Sequence, residues 1–382
     1  MRQKLDCLVV GAGPAGIAAG LELADRGWEV GLVDKADFPR EKVCGGFIGP
    51  ENKFHLDRYD VLDELMQRGA QKVTHVFLSA PNGESVQVPL SFHRDGYGLG
   101  FSRKTFDEIL LARAKARGVE FADMTVVKSV EDRGDRYGVR LAHMRDGGST
   151  EVEVRHLIRA TGAQRGAQRG RARIFGVSTL FDRCDGMESN VIMHFIPQGH
   201  AGINRFEGDS VNMCYVIKEE LFNRFSGDHE AIWKFFLRSN SWMERQLGSA
   251  RRLSPWKTTF VDMDRTCDFY DGTYFSVGDA VGLIHPVSGG GISMALNTGV
   301  MLGELLGERR PSRADCAGLA REYRRLWKKR FALACAVSRW AGAVGHQERW
   351  TNTAIKLLKS NQALITGMFG LFHSPLTLKE SL

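Results

Sequence analysis

Cys7-Leu8-Val9-Val10-Gly11-Ala12-Gly13-Pro14-Ala15-Gly16 is the stretch whose reading decides the fold. An apolar run ends abruptly in a G-x-G-x-x-G turn, a helical pattern follows from Pro14 to Arg26, and Val30 to Val33 return as a buried strand closed by Asp34. Strand, glycine turn, helix and strand in that order predict a βαβ unit and a parallel sheet. Gly11 permits a tight turn, Gly13 lets the backbone approach a pyrophosphate, and Gly16 lets helix and strand pack closely. Pro14 and Ala15 open the helix, where free N–H groups and the helix dipole attract phosphate. Asp34, at the end of the second strand, suits a bond to a ribose hydroxyl. The alternative is a glycine turn that serves packing alone.

A second glycine turn selects the dinucleotide. Val277-Gly278-Asp279-Ala280 ends a strand, and His285-Pro286-Val287-Ser288-Gly289-Gly290-Gly291-Ile292 opens a helix. Such a turn can aim its N–H groups at a flavin's pyrimidine edge and stabilise the reduced, anionic ring. Asp279 suits the ribityl chain. An enzyme using NAD alone has no need of this second cradle, so the cofactor expected is FAD. No His or Cys sits in an evident flavin-attachment motif, so it is expected to be bound non-covalently.

The rest of the chain reads as one composite α/β molecule: a Rossmann-like FAD-binding domain, an inserted antiparallel β-sheet and a helical C-terminal tail. The FAD-binding domain is expected from segments 1–72, 98–175 and 268–310, the substrate sheet from 73–97 and 176–267, and the tail from 311–382. Residues 35–56 read as an extended loop. Arg103 to Arg117 is a helix, and Thr125 to Val130, Tyr137 to Ala142 and Glu151 to Ala160 are strands. Ser178 to Ile217 and Lys257 to Met263 are rich in β-formers, with a helical piece between them near His229 to Leu247. Gly162 to Arg165 is repeated at Gly166 to Arg169, too briefly to indicate a repeat protein.

A chain of 382 residues, 43% hydrophobic and 25% charged, is an ordinary globular composition. No apolar run reaches the roughly 18 residues that a membrane span needs, and the first strand is too short for a signal peptide. A cytoplasmic location is expected. The net charge of +7 is scattered, with clusters only at Arg165 to Arg173 and Arg321 to Arg330. Nucleic acid is therefore not expected, and an anionic substrate, carrier protein or lipid surface remains open. The tail from Leu326 to Phe372 mixes Trp, Phe, Leu and Ile with Lys and Arg. It reads either as a helical layer closing a substrate cavity or as a peripheral membrane contact. The seven cysteines are far apart and form no CxxC pair, so no zinc site or disulfide framework is indicated. Cys44 beside glycines reads as a redox or substrate-facing thiol, or as a packed small residue. His285 reads as a donor to flavin or substrate, or as a turn histidine. The other ten histidines, His93, His200, His346 and His373 among them, show no ligand spacing.

Four segments in order carry a family resemblance: the turn at 11–16, Phe38-Pro39-Arg40-Glu41-Lys42-Val43-Cys44-Gly45-Gly46, the strand end Arg159-Ala160-Thr161-Gly162, and Gly278-Asp279 with its Pro and Gly turn. Together they resemble the p-hydroxybenzoate-hydroxylase-like flavoprotein superfamily, nearest its geranylgeranyl-reductase-related branch. The resemblance implies that Arg40 and Arg103 contact FAD and that Cys44, Gly45 and Gly46 lie near the isoalloxazine ring. It adds Lys35, Val127, Thr161 and Gly162 to the cofactor-binding set and places Met193 to Ile217 on the substrate side. Cys44, His285 and Pro286 are the candidate catalytic residues. The superfamily contains hydroxylases, epoxidases, halogenases and double-bond reductases, and fold does not choose among them. The halogenase motif Trp-x-Trp-x-Ile-Pro and the geranylgeranyl-reductase segment Tyr-x-Trp-x-Phe-Pro are both missing. The expectation put first is a monooxygenase acting on a hydrophobic or carrier-bound small molecule through a flavin C4a-hydroperoxide. A reductase of carbon–carbon double bonds comes second, and a flavin-binding protein without turnover third. No second G-x-G-x-x-G marks a nicotinamide domain, so NAD(P)H would bind transiently or serve a partner reductase.

Overall fold

The computed structural model describes residues 1–92, 96–163, 174–186, 190–264 and 266–372. His93, the arginine cluster at 165–173 with the second copy of the short repeat, and everything from His373 onward lie outside the described residues. Seven strands form the first sheet. Its parallel part runs Glu120–Ala122, Val30–Val33, Lys4–Val10, Ser149–Arg159. The last of these has eleven residues and, on the edge away from Lys4–Val10, serves two neighbours at once. Its first half pairs antiparallel with Tyr137–His143, which pairs with Thr125–Asp132, while its second half pairs parallel with Tyr274–Ser276. Cys7, Leu8 and Val9 are all buried, as expected of a strand covered on both faces. Three strands predicted from alternation end within two residues of their predicted limits. Glu120–Ala122, only three residues long, carries no period to read.

Two helices lie side by side against this sheet, Pro14–Ala24 and Gly291–Arg309. Glycines bring them together. A Cβ at Gly299 would overlap the carbonyl oxygen of Ala15, and one at Gly303 would lie 2.5 Å from Glu22 Cβ. Gly307 meets the Arg26 side chain in the same way. Positions 299, 303 and 307 are one helical turn apart, so they form one groove along the helix.

The second sheet has eight strands, in the order Arg251–Arg252, Ile174–Asp182, Val211–Lys218, Gly199–Arg205, Asn190–Ile196, His75–Ser79, Ser85–Pro89, with Lys257–Val261 also on Ile174–Asp182. It is antiparallel except for one pair, Asn190–Ile196 with His75–Ser79, which is parallel. Those two strands come from segments more than a hundred residues apart, so no hairpin fixes their direction. The strand Ile174–Asp182 begins two residues before the segment expected to start this sheet. The stretch 35–56 is not loop throughout: Phe47–Ile48 pairs with Gly98–Gly100 in a small third sheet, and a helix starts at Lys53. The helical piece at 229–247 is two helices broken at Asn240, whose side chain caps the second by accepting from Trp242 and Met243 N–H.

Three helices make the C-terminal layer: Cys316–Gly345, Glu348–Ser360 and Gln362–Phe372. Cβ atoms at Gly342 and Gly345 would collide with the rings of His285 and Phe195. The first helix therefore lies directly on the second glycine turn. Gly299→Val should lower the unfolding free energy of the flavin-free protein by about 1–3 kcal/mol, the usual cost of overpacking, in denaturant titration. Glu308→Gln, at an exposed position of the same helix, is the control and should stay within about 0.5 kcal/mol of the parent.

Candidate cofactor and substrate site

Gly11 has φ +113°, a conformation that L side chains rarely adopt, and a Cβ there would overlap the Ala160 carbonyl. A Cβ at Gly16 would run into the Gly11 carbonyl, so turn and helix are in direct contact. Gly13 differs: the nearest atom to a Cβ would be Arg40 Nη2 at 3.7 Å. The space over Gly13 is open, bordered by a guanidinium, and the first N–H groups of a helix, here those of Ala15 and Gly16, lack intrahelical partners. Asp34 also holds the turn itself, its two oxygens accepting from Ala12 N at 2.7 Å and Ala36 N at 2.8 Å. Lys35 is exposed, and Val127 packs beside the apolar cluster of Leu5, Leu8 and Leu141 on the meander side of the sheet.

A cavity of about 250 Å³ unites the segments singled out in the sequence. Pro14 enters from the first turn, Lys42, Cys44, Gly45 and Gly46 from the loop, and Arg103 from its helix. Asp279, Pro286, Gly289, Gly291 and Ile292 enter from the second turn. Gly290 donates its N–H to Ser288 Oγ, 3.2 Å away. Gly278 N–H donates to Thr298 Oγ1 at 2.9 Å. Gly162 has φ +77°, and a Cβ on it would lie 3.7 Å from Lys42 Nζ, so the strand end beyond Thr161 borders the same space.

Charge in this cavity is organised around Asp107, which the sequence reading missed. Arg103 donates to both its oxygens, at 2.8 and 2.7 Å, and Arg40 Nη1 lies 3.2 Å from Oδ2. Burial works against the Arg103 charge, but Asp107 overcomes it and raises the guanidinium pKa. Desolvation pushes the Lys42 ammonium down, Arg103 adds to this, and Asp279 opposes it. Burial raises the Asp279 carboxyl against the pull of Lys42 and Arg103. Lys42, Arg103 and Asp279 line the cavity, with Asp107 and Arg40 behind Arg103, and three cations to two carboxylates is a balance that suits a ligand bearing phosphate. Among the described residues Asp279 takes no hydrogen bond, so both its oxygens are available to hydroxyl groups.

The loop Cys44–Phe47 is a wall with a cavity on each side. Asn212 Nδ2 donates to the Cys44 and Gly45 carbonyls at 3.0 and 3.2 Å, and Asn204 Nδ2 to Gly46 O at 2.9 Å. Both asparagines come from the second sheet and neither was singled out in the sequence. Behind the wall lies an apolar slot of about 100 Å³, lined by Val76, Leu78, Ile192, Met193, Val216 and Phe369. It shares Gly45, Phe47, Cys214, Val216, Pro286 and Gly289 with the first cavity. Cys44 borders the first cavity, with Gly46 N–H directed to its Sγ at 3.4 Å. His285, read either as a donor to flavin or substrate or as a turn histidine, lines neither cavity. Its Nδ1 accepts from Val287 N–H at 3.3 Å, which makes it the cap of its own turn. It packs with His200 and His346, and His200 Nδ1 is 3.3 Å from His346 Nε2.

The family described as FAD binding domain matches residues 4–325. The chain belongs to this FAD-binding family. A digeranylgeranylglycerophospholipid reductase of Methanococcus vannielii is 26% identical over 86% of this chain and 84% of its own length. A menaquinone reductase of Mycobacterium tuberculosis is 26% identical over 89% and 86%. A geranylgeranyl bacteriochlorophyll reductase-like protein of Thermoplasma acidophilum shares the fold with a TM-score of 0.78, at 17% identity over 97% and 96% of the two chains. A flavin-dependent brominase shares it with a TM-score of 0.81, at 17% identity over 97% and 93%. The resemblance read from the motifs is thus borne out, and the protein is an FAD-dependent oxidoreductase.

Asp279→Ala should lower FAD affinity roughly ten- to a hundred-fold, because hydrogen bonds to an ionised acceptor are worth about 1.5–3 kcal/mol each. Titration of FAD into apo-protein checks this, and unchanged affinity would remove Asp279 from the site. The histidine cluster gives a pH dependence. Burial holds His285 down to about 4 and His346 to about 3, below the ordinary histidine value of about 6.5. Between those values the unfolded chain binds more protons than the folded one, so stability present above about pH 6.5 is lost as pH falls toward 4. His285→Asn keeps an acceptor for Val287 N–H and should reduce that loss by at most about 3 kcal/mol, read from denaturant titrations at neutral and acid pH.

Proposed function

We propose that the protein reduces carbon–carbon double bonds in a long apolar, isoprenoid-like substrate, with FAD as the resident cofactor. The observation that carries this is the pair of cavities sharing one thin wall: a cationic cavity on one side of Gly45–Phe47, and on the other a slot lined almost wholly by aliphatic and aromatic side chains. Relatives named as reductases of geranylgeranyl lipids and of menaquinone, matching across most of the chain, support it. Oxygenation, put first on the sequence alone, takes second place, since neither the slot nor those relatives favours it.

Bound and reduced, FAD would supply a hydride, two electrons with one proton, to one alkene carbon, and solvent would supply the second proton to the other. The chain's own part is to position and to exclude water. Arg40 and the helix N-terminus at Pro14–Gly16 would hold the pyrophosphate, and Asp279 the ribityl hydroxyls. The cations Lys42 and Arg103 line the same cavity and would favour negative charge on the bound cofactor. The slot's aliphatic walls would fix the alkene by burial without directing hydrogen bonds at it. Val76, Leu78 and Met193 set the room available, so larger residues there should shorten the chain accepted. NAD(P)H or a partner reductase remains the proposed electron donor.

Reduction with dithionite under strict anaerobiosis, followed by geranylgeraniol, separates the two readings. The expected result is flavin reoxidation and products heavier by two hydrogens per turnover. A product carrying added oxygen, formed only after air is admitted, would instead establish the monooxygenase.

A further inference from the structure

The C-terminal helices have two unlike faces. Inward, Ile355 and Ile365 are buried in the same apolar cluster as Phe47, Val76 and Leu78, and Phe369 lines the slot. Outward, Leu333, Trp340, Trp350 and Leu357 are 62, 60, 58 and 56% exposed, and Leu364 is 42% exposed. Five of the nine large apolar side chains exposed among the described residues therefore fall within 32 consecutive positions. Leu333 and Trp340 are seven residues apart, as are Trp350 and Leu357, so each pair lies on one side of its helix. Exposed Ala336 extends the first stripe. Solvent-facing patches of this kind mark contact surfaces.

Charge identifies what is contacted. Between residues 321 and 360 there are ten Lys and Arg and only two Glu, an excess larger than the +7 of the whole chain. Arg325, Lys328, Arg339, Arg349 and Lys356 are exposed. A second copy of this chain would set like charge against like charge, which opposes self-association through this face. An anionic bilayer offers both complements, phosphate for the cations and a headgroup depth where Trp side chains settle. Among the described residues no helix is long and apolar enough to cross a membrane.

We propose that helices Cys316–Gly345 and Glu348–Ser360 lie on the surface of an anionic lipid bilayer, with Leu333, Trp340, Trp350 and Leu357 inserted among the headgroups. The slot, lined from the following helix by Phe369, would then draw its apolar substrate from the lipid layer, a step that rests on the reductase reading. The surface itself rests only on exposure and charge.

Flotation of the FAD-loaded protein with phosphatidylcholine vesicles, with and without roughly one-third phosphatidylglycerol, tests it. Binding should be at least about tenfold tighter to the anionic vesicles and should weaken at roughly 0.5 M salt. The double variants Leu333→Ser/Trp340→Ser and Trp350→Ser/Leu357→Ser should each lose about tenfold or more in vesicle binding. Replacing Arg325, Lys328 and Lys356 by Gln should remove the preference for anionic lipid. All these side chains are solvent-facing, so flavin content and melting temperature should match the parent and exclude misfolding. Equal binding to neutral vesicles, no flotation, or variants that float like the parent would overturn the proposal. So would a dimer in sedimentation that dissociates in the same variants. A protein that floats yet reduces no alkene keeps the surface and loses the reductase reading, and the reverse result does the opposite.

Discussion

The site depends on the close contact between helices Pro14–Ala24 and Gly291–Arg309. Their contacts advance together, Ala15 with Gly299, Glu22 with Gly303 and Arg26 with Gly307, so the helices run in the same direction. Gly291 precedes Gly299 by two turns, which sets the second helix start about 12 Å beyond the first at roughly 1.5 Å per residue. Two positive helix ends therefore face one cavity at different depths. An extended dinucleotide has its two acceptor regions similarly separated, at its pyrophosphate and at its far ring. Bulk at any of the three glycines would part the helices and spoil both ends together.

The second constraint is the wall between the cavities. A chain crossing from a polar cavity to an apolar slot must satisfy its own carbonyls, because a buried unpaired group costs about 1–3 kcal/mol. Asn204 and Asn212 do this for Cys44, Gly45 and Gly46. They stand on adjacent strands of the second sheet and are directly paired there. The substrate sheet is thereby tied to the cofactor loop through side-chain amides as well as through packing. Gly46, at φ +64° against the Phe206 ring and the Phe101 carbonyl, leaves no room for a side chain on that part of the wall.

Much of this was legible in the sequence, for reasons that differ by element. The glycine turns could be read because φ values such as +113° at Gly11 and close approaches such as Gly16 to Gly11 admit few other residues. The long strands could be read from their alternation. Lys42, Asp107, Asn204 and Asn212 could not, since a polar residue facing a cavity follows the same period as one facing water. Their roles arise from contacts between segments far apart in sequence, 168 positions in the case of Asn212 and Cys44. His285 was left with two readings for a related reason: its neighbour Pro286 lines both cavities while its own ring turns back to cap the turn. The parallel strand pair was also hidden, because direction is set by the crossover and not by the strands' own residues.

The arrangement of charge follows from the same economy of contacts. Asp107 neutralises part of the Arg40 and Arg103 charge, so neither guanidinium stands unpaired in the absence of a ligand. Arg103 is nearly buried and takes both oxygens of Asp107, which fixes its plane. Arg40 is less buried, touches only Oδ2 of that carboxylate, and reaches Ala12 O through a long 3.4 Å contact. The two arginines therefore differ in what they can do. Arg103 is a fixed part of the cavity floor, already committed to its carboxylate. Arg40 has donors to spare beside the open space over Gly13, and it is the one free to turn toward an incoming phosphate.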